Sequence, residues 1–294
     1  MPELLSSQQM ALFVARGFLR FDALVPDAIN SAFLEDVDAQ RIPVVPAGTP
    51  LAKAYPETST IGRLARLPAV QGLIESLVGP NPTFDHHFLH PALPAEVFAK
   101  IGHPHESQPT HQDSTIDSRF ASFDLQLLYF PHDVGEDMGG TRFVPGSHLR
   151  RVSETAIARY QNIKGQQSVV CPAGSVFAFH HGMWHGGGLN RSNERRIMFK
   201  IRLAPTVRQC RLWDVSDLPV DHREQRPIFW VGQKPDPEHI HTILTTPEPW
   251  FEADVGRIEL MNRIRLWRSL LGEEDFDADY WLTRVENEPG AAAG

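Results

Sequence analysis

Between Phe84 and Pro205 the chain is cut into short apolar or alternating runs by Pro, Gly and Asp, and this texture constrains the fold more than any other feature. Runs of this kind read as β-strands, and their close spacing favours antiparallel pairing over parallel crossovers. The candidates are Phe84 to Leu89, Phe98 to Ile101, Phe123 to Phe130, Thr141 to Val144, Gln167 to Val170, Ser175 to Phe179 and Arg196 to Leu203. Strands of this number and spacing form a sandwich or a barrel, with helices packed on the β core.

Helical patterns flank the strands. Ser6 or Ser7 is placed to cap a helix running from Gln8 to Arg16, which Gly17 ends, and Phe18-Leu19-Arg20-Phe21 reads as a strand. A helix from Asp27 carries Ile29, Phe33, Leu34 and Val37 on one face, and another runs from Pro68 to Val78 before Gly79-Pro80. After Pro205 the chain is rich in Trp, and Val255, Ile258, Met261, Ile264, Trp267 and Leu271 recur at helical spacing. That amphipathic helix either packs on the β core or serves as a dimer interface or lid. The 294 residues suit one elaborated α+β domain over 1–285, mainly β with helical additions. Its parts are N-terminal helices at about 5–80, a core at about 84–205 and a C-terminal extension at about 206–285, with 286–294 as a frayed tail.

The 28 Lys and Arg against 36 Asp and Glu leave a formal charge of −8, which disfavours nucleic acid or an anionic membrane as partner. No apolar run approaches the roughly 18 to 20 residues a membrane span needs. Glu3 and the Gln8-Gln9 pair do not fit a signal peptide, so a soluble, cytoplasmic monomer or homodimer acting on a small molecule is expected. Cys171 and Cys210 have neither disulfide-framework nor metal-ligand spacing and read as buried apolar residues.

The chain has 14 histidines, many of them between His86 and His185. Gln108-Pro109-Thr110-His111-Gln112-Asp113 contains a His-x-Asp pair, and on an extended strand residues i and i+2 share a face, so imidazole and carboxylate can hold one ion together. Alone, such a pair also arises as surface or structural residues. His185 offers a third ligand, and Gly186, Gly187 and Gly188 behind it permit close backbone approach and unusual dihedrals. Two histidines and a carboxylate cover one face of an octahedral ion and leave three adjacent positions open, as in non-haem Fe(II) oxygenases. Eleven residues after His185, Arg196 opens the run Ile197-Met198-Phe199-Lys200-Ile201. A guanidinium there suits the far carboxylate of a metal-chelating dicarboxylate, whereas Arg195 would point to the opposite face.

Other histidines compete for attention. His103-Pro104-His105-Glu106 resembles the two-histidine start of a cupin metal site, but Pro104 and the missing glycine spacing argue against it, leaving a substrate mouth or a surface loop. His180 and His181 lie fifteen or sixteen residues from Arg196, which favours His185 as the distal ligand. Alternation sends His86 and His90 to one face of a strand and His87 to the other, as structural residues or substrate contacts. His148, in a Pro-Gly-Ser-His turn, is expected to bond locally.

Together His111-Gln112-Asp113, Gly139-Gly140-Thr141, Val144-Pro145-Gly146-Ser147-His148 and His185-Gly-Gly-Gly-x-Asn190 with Arg196 resemble the phytanoyl-CoA dioxygenase-like branch of the Fe(II)/2-oxoglutarate-dependent oxygenases. With Leu5-Ser6-Ser7-Gln8-Gln9 through Gly17-Phe18, the resemblance covers roughly residues 5 to 205. It implies a double-stranded β-helix, or jelly roll, with Fe(II) held by His111, Asp113 and His185, and with 2-oxoglutarate and O2 as co-substrates. Arg196 would pair with the distal carboxylate of 2-oxoglutarate. Gln108 and Thr141 match positions that touch the co-substrate in some relatives, and Tyr129 is a further candidate.

Gly187 stands where some relatives carry a co-substrate-binding Ser, so Thr141 supplies that hydroxyl or one hydrogen bond is missing. Asp113 argues for hydroxylation or another oxidation rather than halogenation. The implied activity is oxidation of a small natural-product or amino-acid-like substrate coupled to decarboxylation of 2-oxoglutarate to succinate and CO2. Lys53, Tyr55, Arg63 and Arg66, with Trp213 and Trp230 after Pro205, are expected to contribute to the substrate pocket. Two other classes stay open: a cupin-like metal enzyme without 2-oxoglutarate, which has no need of Arg196, and a non-catalytic jelly-roll binding protein.

Overall fold

A computed structural model describes residues 1–102, 106–113, 124–149, 163–206 and 213–217. At the N-terminus the Ser6 hydroxyl accepts from the Gln9 amide while the Gln9 side chain accepts from the Ser6 amide. This reciprocal cap starts α1 (Ser7–Arg16), and Gly17, in the left-handed region at φ 76°, ends it by donating to Phe13 O. A Cβ at Gly17 would also collide with the His148 ring, so the turn needs glycine twice over. The chain continues through β1 (Phe18–Phe21), α2 (Asp27–Asp38), α3 (Leu51–Ala54), α4 (Thr60–Ala65) and α5 (Pro68–Val78).

Next come β2 (Thr83–Ala92), α6 (Ala95–Ile101), β3 (Leu125–Phe130), β4 (Thr141–Phe143), β5 (Gln167–Ser168), β6 (Ser175–His180), β7 (His185–Gly187) and β8 (Arg196–Ala204). They form a five-stranded sheet in the order β1-β6-β3-β8-β2 and a three-stranded sheet in the order β5-β4-β7, with every pairing antiparallel.

Period-two alternation divides the large sheet between two cores. Leu125, Leu127 and Tyr129 of β3 and Ile197, Phe199, Ile201 and Leu203 of β8 face the helices, in one cluster with Phe13, Phe33, Leu73 and Leu77. Phe33 meets both Tyr129 and Phe199 with ring centroids 5.2 Å apart. The opposite face, with Leu128, Phe130, Phe177, Phe179 and Met198, packs against Phe143 of the small sheet. Each of these fully buried large side chains stabilises the fold by roughly 1.5–3 kcal/mol. The layers are therefore helices, large sheet and small sheet, and the even-numbered residues of β8 face the space between the sheets.

One strand expectation is corrected. Phe98 to Ile101 belongs to α6, because the capping pattern outweighs the short apolar run: Pro94 precedes the helix, Glu96 lies in its first turn, Lys100 in its last, and Gly102 closes it at φ 69°. The segment from Arg41 to Arg66 contributes α3 and α4. Trp230, the amphipathic pattern from Val255 to Leu271 and the tail lie outside the described residues. Among the described residues no helix is long and apolar enough to cross a membrane.

Candidate metal centre

His111 and His185 are joined before any side chain is considered. The His111 amide donates to His185 O at 2.8 Å and the His185 amide to His111 O at 2.9 Å, an antiparallel bridge that sets both imidazoles on one face with centroids 4.6 Å apart. Each ring is oriented by a carbonyl two residues earlier: His111 Nδ1 lies 2.9 Å from Pro109 O and His185 Nδ1 2.9 Å from Met183 O. A ring nitrogen facing a carbonyl carries the hydrogen, so both Nε2 atoms are free to act as ligands.

Both Nε2 atoms meet Asp113. Its Oδ1 is 3.2 Å from His111 Nε2 and 3.6 Å from His185 Nε2, and the three ligand atoms lie within 4.8 Å of one another. The glycines after His185 serve close approach rather than unusual dihedrals, since none of the three has a positive φ. A Cβ at Gly186 would come within 2.9 Å of the carbonyl oxygens of Gln108 and Pro109, and one at Gly188 within 2.5 Å of Gly140 O.

The three groups shift one another's charge. Burial alone would raise the Asp113 carboxyl, but the His111 hydrogen bond and the charges of His185 and Lys200 outweigh it and hold the group well below the usual carboxylate range. The Asp113 hydrogen bond raises His111, whereas burial pushes His185 down to about 4. A residue absent from the sequence expectations completes the centre: Lys200 Nζ donates to Asp113 Oδ2 at 2.5 Å, with its side chain only 7% exposed. The alternation of β8 could have revealed it, because Lys200 shares the inward face with Arg196 at i+4.

A cavity of about 400 Å3 opens over these groups, lined also by Gln108, Thr141, Arg196, Lys200, His90 and Glu106. Arg196 is buried, donates from Nη1 to His90 O at 3.1 Å and from Nη2 to Gly139 O at 2.8 Å, and leaves a buried Nε without a partner. Burial lowers it to about 10, so it stays cationic. Asn190 secures the preceding turn by donating to Ala92 O and Glu194 O. Gln108 turns its side chain to the backbone, where Oε1 accepts from Gly187 N at 3.0 Å. Thr141, on β4, stands on the cavity wall opposite Gly187 in the strand register.

Several expectations are corrected by these positions. Tyr129 does not line the cavity, because alternation turns it to the helical side, where its hydroxyl donates to Asn30 Oδ1 at 2.6 Å. His148 bonds far along the chain rather than locally, with Nε2 2.9 Å from Val14 O. Tyr55 is buried against His87 Nδ1 at 2.6 Å, Arg66 grips the carbonyls of Ala52, Tyr55 and Gly62, and neither they nor Lys53 and Arg63 line the cavity. Trp213 instead donates to Ser7 Oγ and packs on the helical core.

Of the β2 histidines, His86 meets Asp85 and only His90 lines the cavity; burial, then the charges of Lys200 and Arg196, push His90 down to about 4. His180 accepts from Gly182 N and stacks on His181, which lies 4.0 Å from Asp124, so neither joins the His111 and Asp113 cluster. His103 and His105 lie outside the described residues, while Glu106 is exposed on the cavity lining.

The model of the phytanoyl-CoA dioxygenase (PhyH) family matches residues 18–198, more than half of the chain, with His111, Asp113, His185 and Arg196 inside the match and Lys200 just beyond it. The chain belongs to the phytanoyl-CoA dioxygenase family. Among curated relatives, it is 28% identical over 170 residues to the L-proline trans-4-hydroxylase of Streptomyces griseoviridis, a match covering 47% of this chain and 60% of that protein. Among solved structures, HygX from Streptomyces hygroscopicus, with nickel and 2-oxoglutarate bound, aligns at a TM-score of 0.51 and 15% identity over 68% of this chain and 86% of that one. The non-haem α-ketoglutarate-dependent carbocyclase SnoK from nogalamycin biosynthesis aligns at 0.53 and 18% identity, over 70% and 87%. These likenesses show a shared fold, the jelly-roll core with helical additions.

Proposed function

We propose that this member of the family is an Fe(II)/2-oxoglutarate-dependent oxygenase that hydroxylates, or otherwise oxidises, a small natural-product or amino-acid-like molecule. The observation that carries the reading is the convergence of His111 Nε2, His185 Nε2 and Asp113 Oδ1, with both Nδ1 atoms committed to carbonyls. Two imidazole lone pairs aimed at a carboxylate oxygen repel one another unless a cation or a shared proton lies between them, so the donor set fits a divalent ion. Bound there, Fe(II) with 2-oxoglutarate and O2 supplies the oxidising chemistry, and the co-substrate leaves as succinate and CO2.

The protein's part is positioning. His111, Asp113 and His185 would hold one face of the ion and leave the cavity side open. Arg196, cationic and already braced by two carbonyls, would pair with the distal carboxylate of 2-oxoglutarate, with its unpartnered Nε as a further donor. Thr141 and the Gly187 region, tied by Gln108, would border the same molecule. Leu128 and Met198 give the inner lining an apolar surface that would border the reacting carbon. A single domain over 1–285 and a cytoplasmic monomer or homodimer belong to the same reading.

Anaerobic addition of 2-oxoglutarate to the Fe(II)-loaded protein tests it. A weak visible charge-transfer band near roughly 500 nm, expected when a keto acid chelates ferrous iron at an open facial site, and its loss in His185→Ala, is the expected result. Bound iron without the band overturns 2-oxoglutarate as co-substrate and favours a cupin-like enzyme, and no iron binding leaves a binding protein.

A further inference from the structure

We propose that Lys200, with His90 beside it, is the docking point for a carboxylate of the primary substrate, which makes that substrate a small carboxylic acid of the amino-acid kind; the proposal rests on the oxygenase reading above. Lys200 lines the cavity from the inward face of β8, and its ammonium has three donors. Among the described residues one donor goes to Asp113 Oδ2, and the ammonium also stands over the face of Phe88, with Nζ 5.6 Å from the ring centroid. A buried cation is costly unless its donors are met, and the two remaining ones have the cavity in which to find an acceptor.

His90 makes the same point independently. Its Nε2 is buried with no hydrogen-bond partner, and its ring lines the same cavity. The strand register pairs Phe88 with Lys200 and His90 with Met198, so His90 stands diagonally between Lys200 and Arg196. Three polar groups thus share this wall, and the co-substrate's distal carboxylate, on the reading above, would take only the Arg196 end.

Charge narrows the class. With a divalent ion, Lys200 and Arg196 set against Asp113 and the dicarboxylate, one positive charge is left over at the buried end of the cavity, while Glu106 adds one negative charge at its exposed part, so a ligand that brings a single anionic group to the buried end fits. A carboxylate carries that charge, whereas a phosphate monoester carries nearly two. Glu106, exposed on the same lining, disfavours a second anionic group and suits an ammonium on the same molecule. A cavity of about 400 Å3 accepts a ligand of amino-acid size beside the co-substrate.

The test uses Mn(II)-loaded full-length protein held anaerobically with 2-oxoglutarate, following paramagnetic broadening of the proton resonances of the common L-amino acids and of their primary amides. At least one free amino acid should be broadened in competition-sensitive fashion, with its amide binding about tenfold or more weakly. At saturating Mn(II), Lys200→Met should weaken the amino acid by about tenfold or more beyond any change in 2-oxoglutarate, and Lys200→Arg should restore most of the binding. Equal binding of acid and amide, or undiminished binding in Lys200→Met, overturns the proposal; if Lys200→Met does not fold, the comparison of acid and amide decides. Intact broadening of 2-oxoglutarate with no amino acid bound overturns the proposal alone. Absence of 2-oxoglutarate broadening in the wild type overturns the oxygenase reading and this inference with it.

Discussion

Lys200 and Asp113 form a nearly buried ion pair in which Nζ takes Oδ2 and leaves Oδ1 turned to the two histidines. The carboxylate is thus held in a one-oxygen presentation by a cation behind it. Removing the acid strands the ammonium: Asp113→Ala should destabilise the apo protein by about 3–5 kcal/mol, and adding Lys200→Met should recover most of that. Chemical denaturation of the wild type, both single variants and the double variant in chelator checks it. Purely additive effects would show that the pair is not coupled.

Metal affinity should fall in acid, with a direction set by His111. Its hydrogen bond to Asp113 raises its pKa above the ordinary 6.5, so on the acidic side of that raised value an incoming ion must displace a proton. Affinity for Mn(II) should be flat above the raised pKa and weaken as pH drops through it, by up to about tenfold per pH unit for one proton. His185, pushed down to about 4, adds no dependence near neutrality. Calorimetric titration across this range, with proton release counted in two buffers, provides the measurement.

Replacing Arg196 separates co-substrate binding from iron binding. Arg196→Met should weaken 2-oxoglutarate by about 2–4 kcal/mol, or roughly 30- to 1000-fold, while Mn(II) affinity changes far less. The carbonyls of His90 and Gly139 lose their donor as well, so a modest loss of stability should accompany it. An unchanged requirement for 2-oxoglutarate would assign its distal carboxylate to another group.

Backbone proximity behind His185 gives a paired test. A methyl group at Gly186 meets two carbonyl oxygens at 2.9 Å, whereas one at Gly187 meets only side-chain atoms of Gln108, at 3.5 and 3.6 Å. Gly186→Ala should therefore cost about 1–3 kcal/mol and weaken the metal site, and Gly187→Ala should be the milder change. Thermal unfolding and Mn(II) titration of both variants would expose a wrong account if their order were reversed.

Tyr129 tests the assignment of faces on β3. Tyr129→Phe should lower stability by about 1–2 kcal/mol, because the buried Asn30 Oδ1 loses its donor, and should leave 2-oxoglutarate affinity unchanged. A large loss of co-substrate affinity in the variant would place the hydroxyl back in the site.

The sequence by itself determined the periodicities and which side chains are candidate ligands. The Ser6 cap, the Gly17 stop, the helix from Pro68 to Val78 and most strand runs were legible because capping and alternation act over a few residues. His111, Asp113, His185 and Arg196 could be named because their spacings are short or marked by glycines. Where the reading failed, the deciding information lay either in local caps that the apolar run overshadowed or across the fold. The helix from Ala95 to Ile101 won over a strand through its caps, and Tyr129 was lost to the site by the face on which β3 lies against the helices.

Lys200 shows the same limit from the other side. Alternation along β8 places it on the inward face with Arg196, but does not say that it meets Asp113, 87 residues earlier. It reaches that carboxylate because β8 pairs with β2 and β3 in one register and buries every second residue between the sheets. Local physics chooses helix, strand and which donor groups a segment can present. Only the tertiary register, set by which faces bury their apolar side chains, decides which charges meet in the cavity.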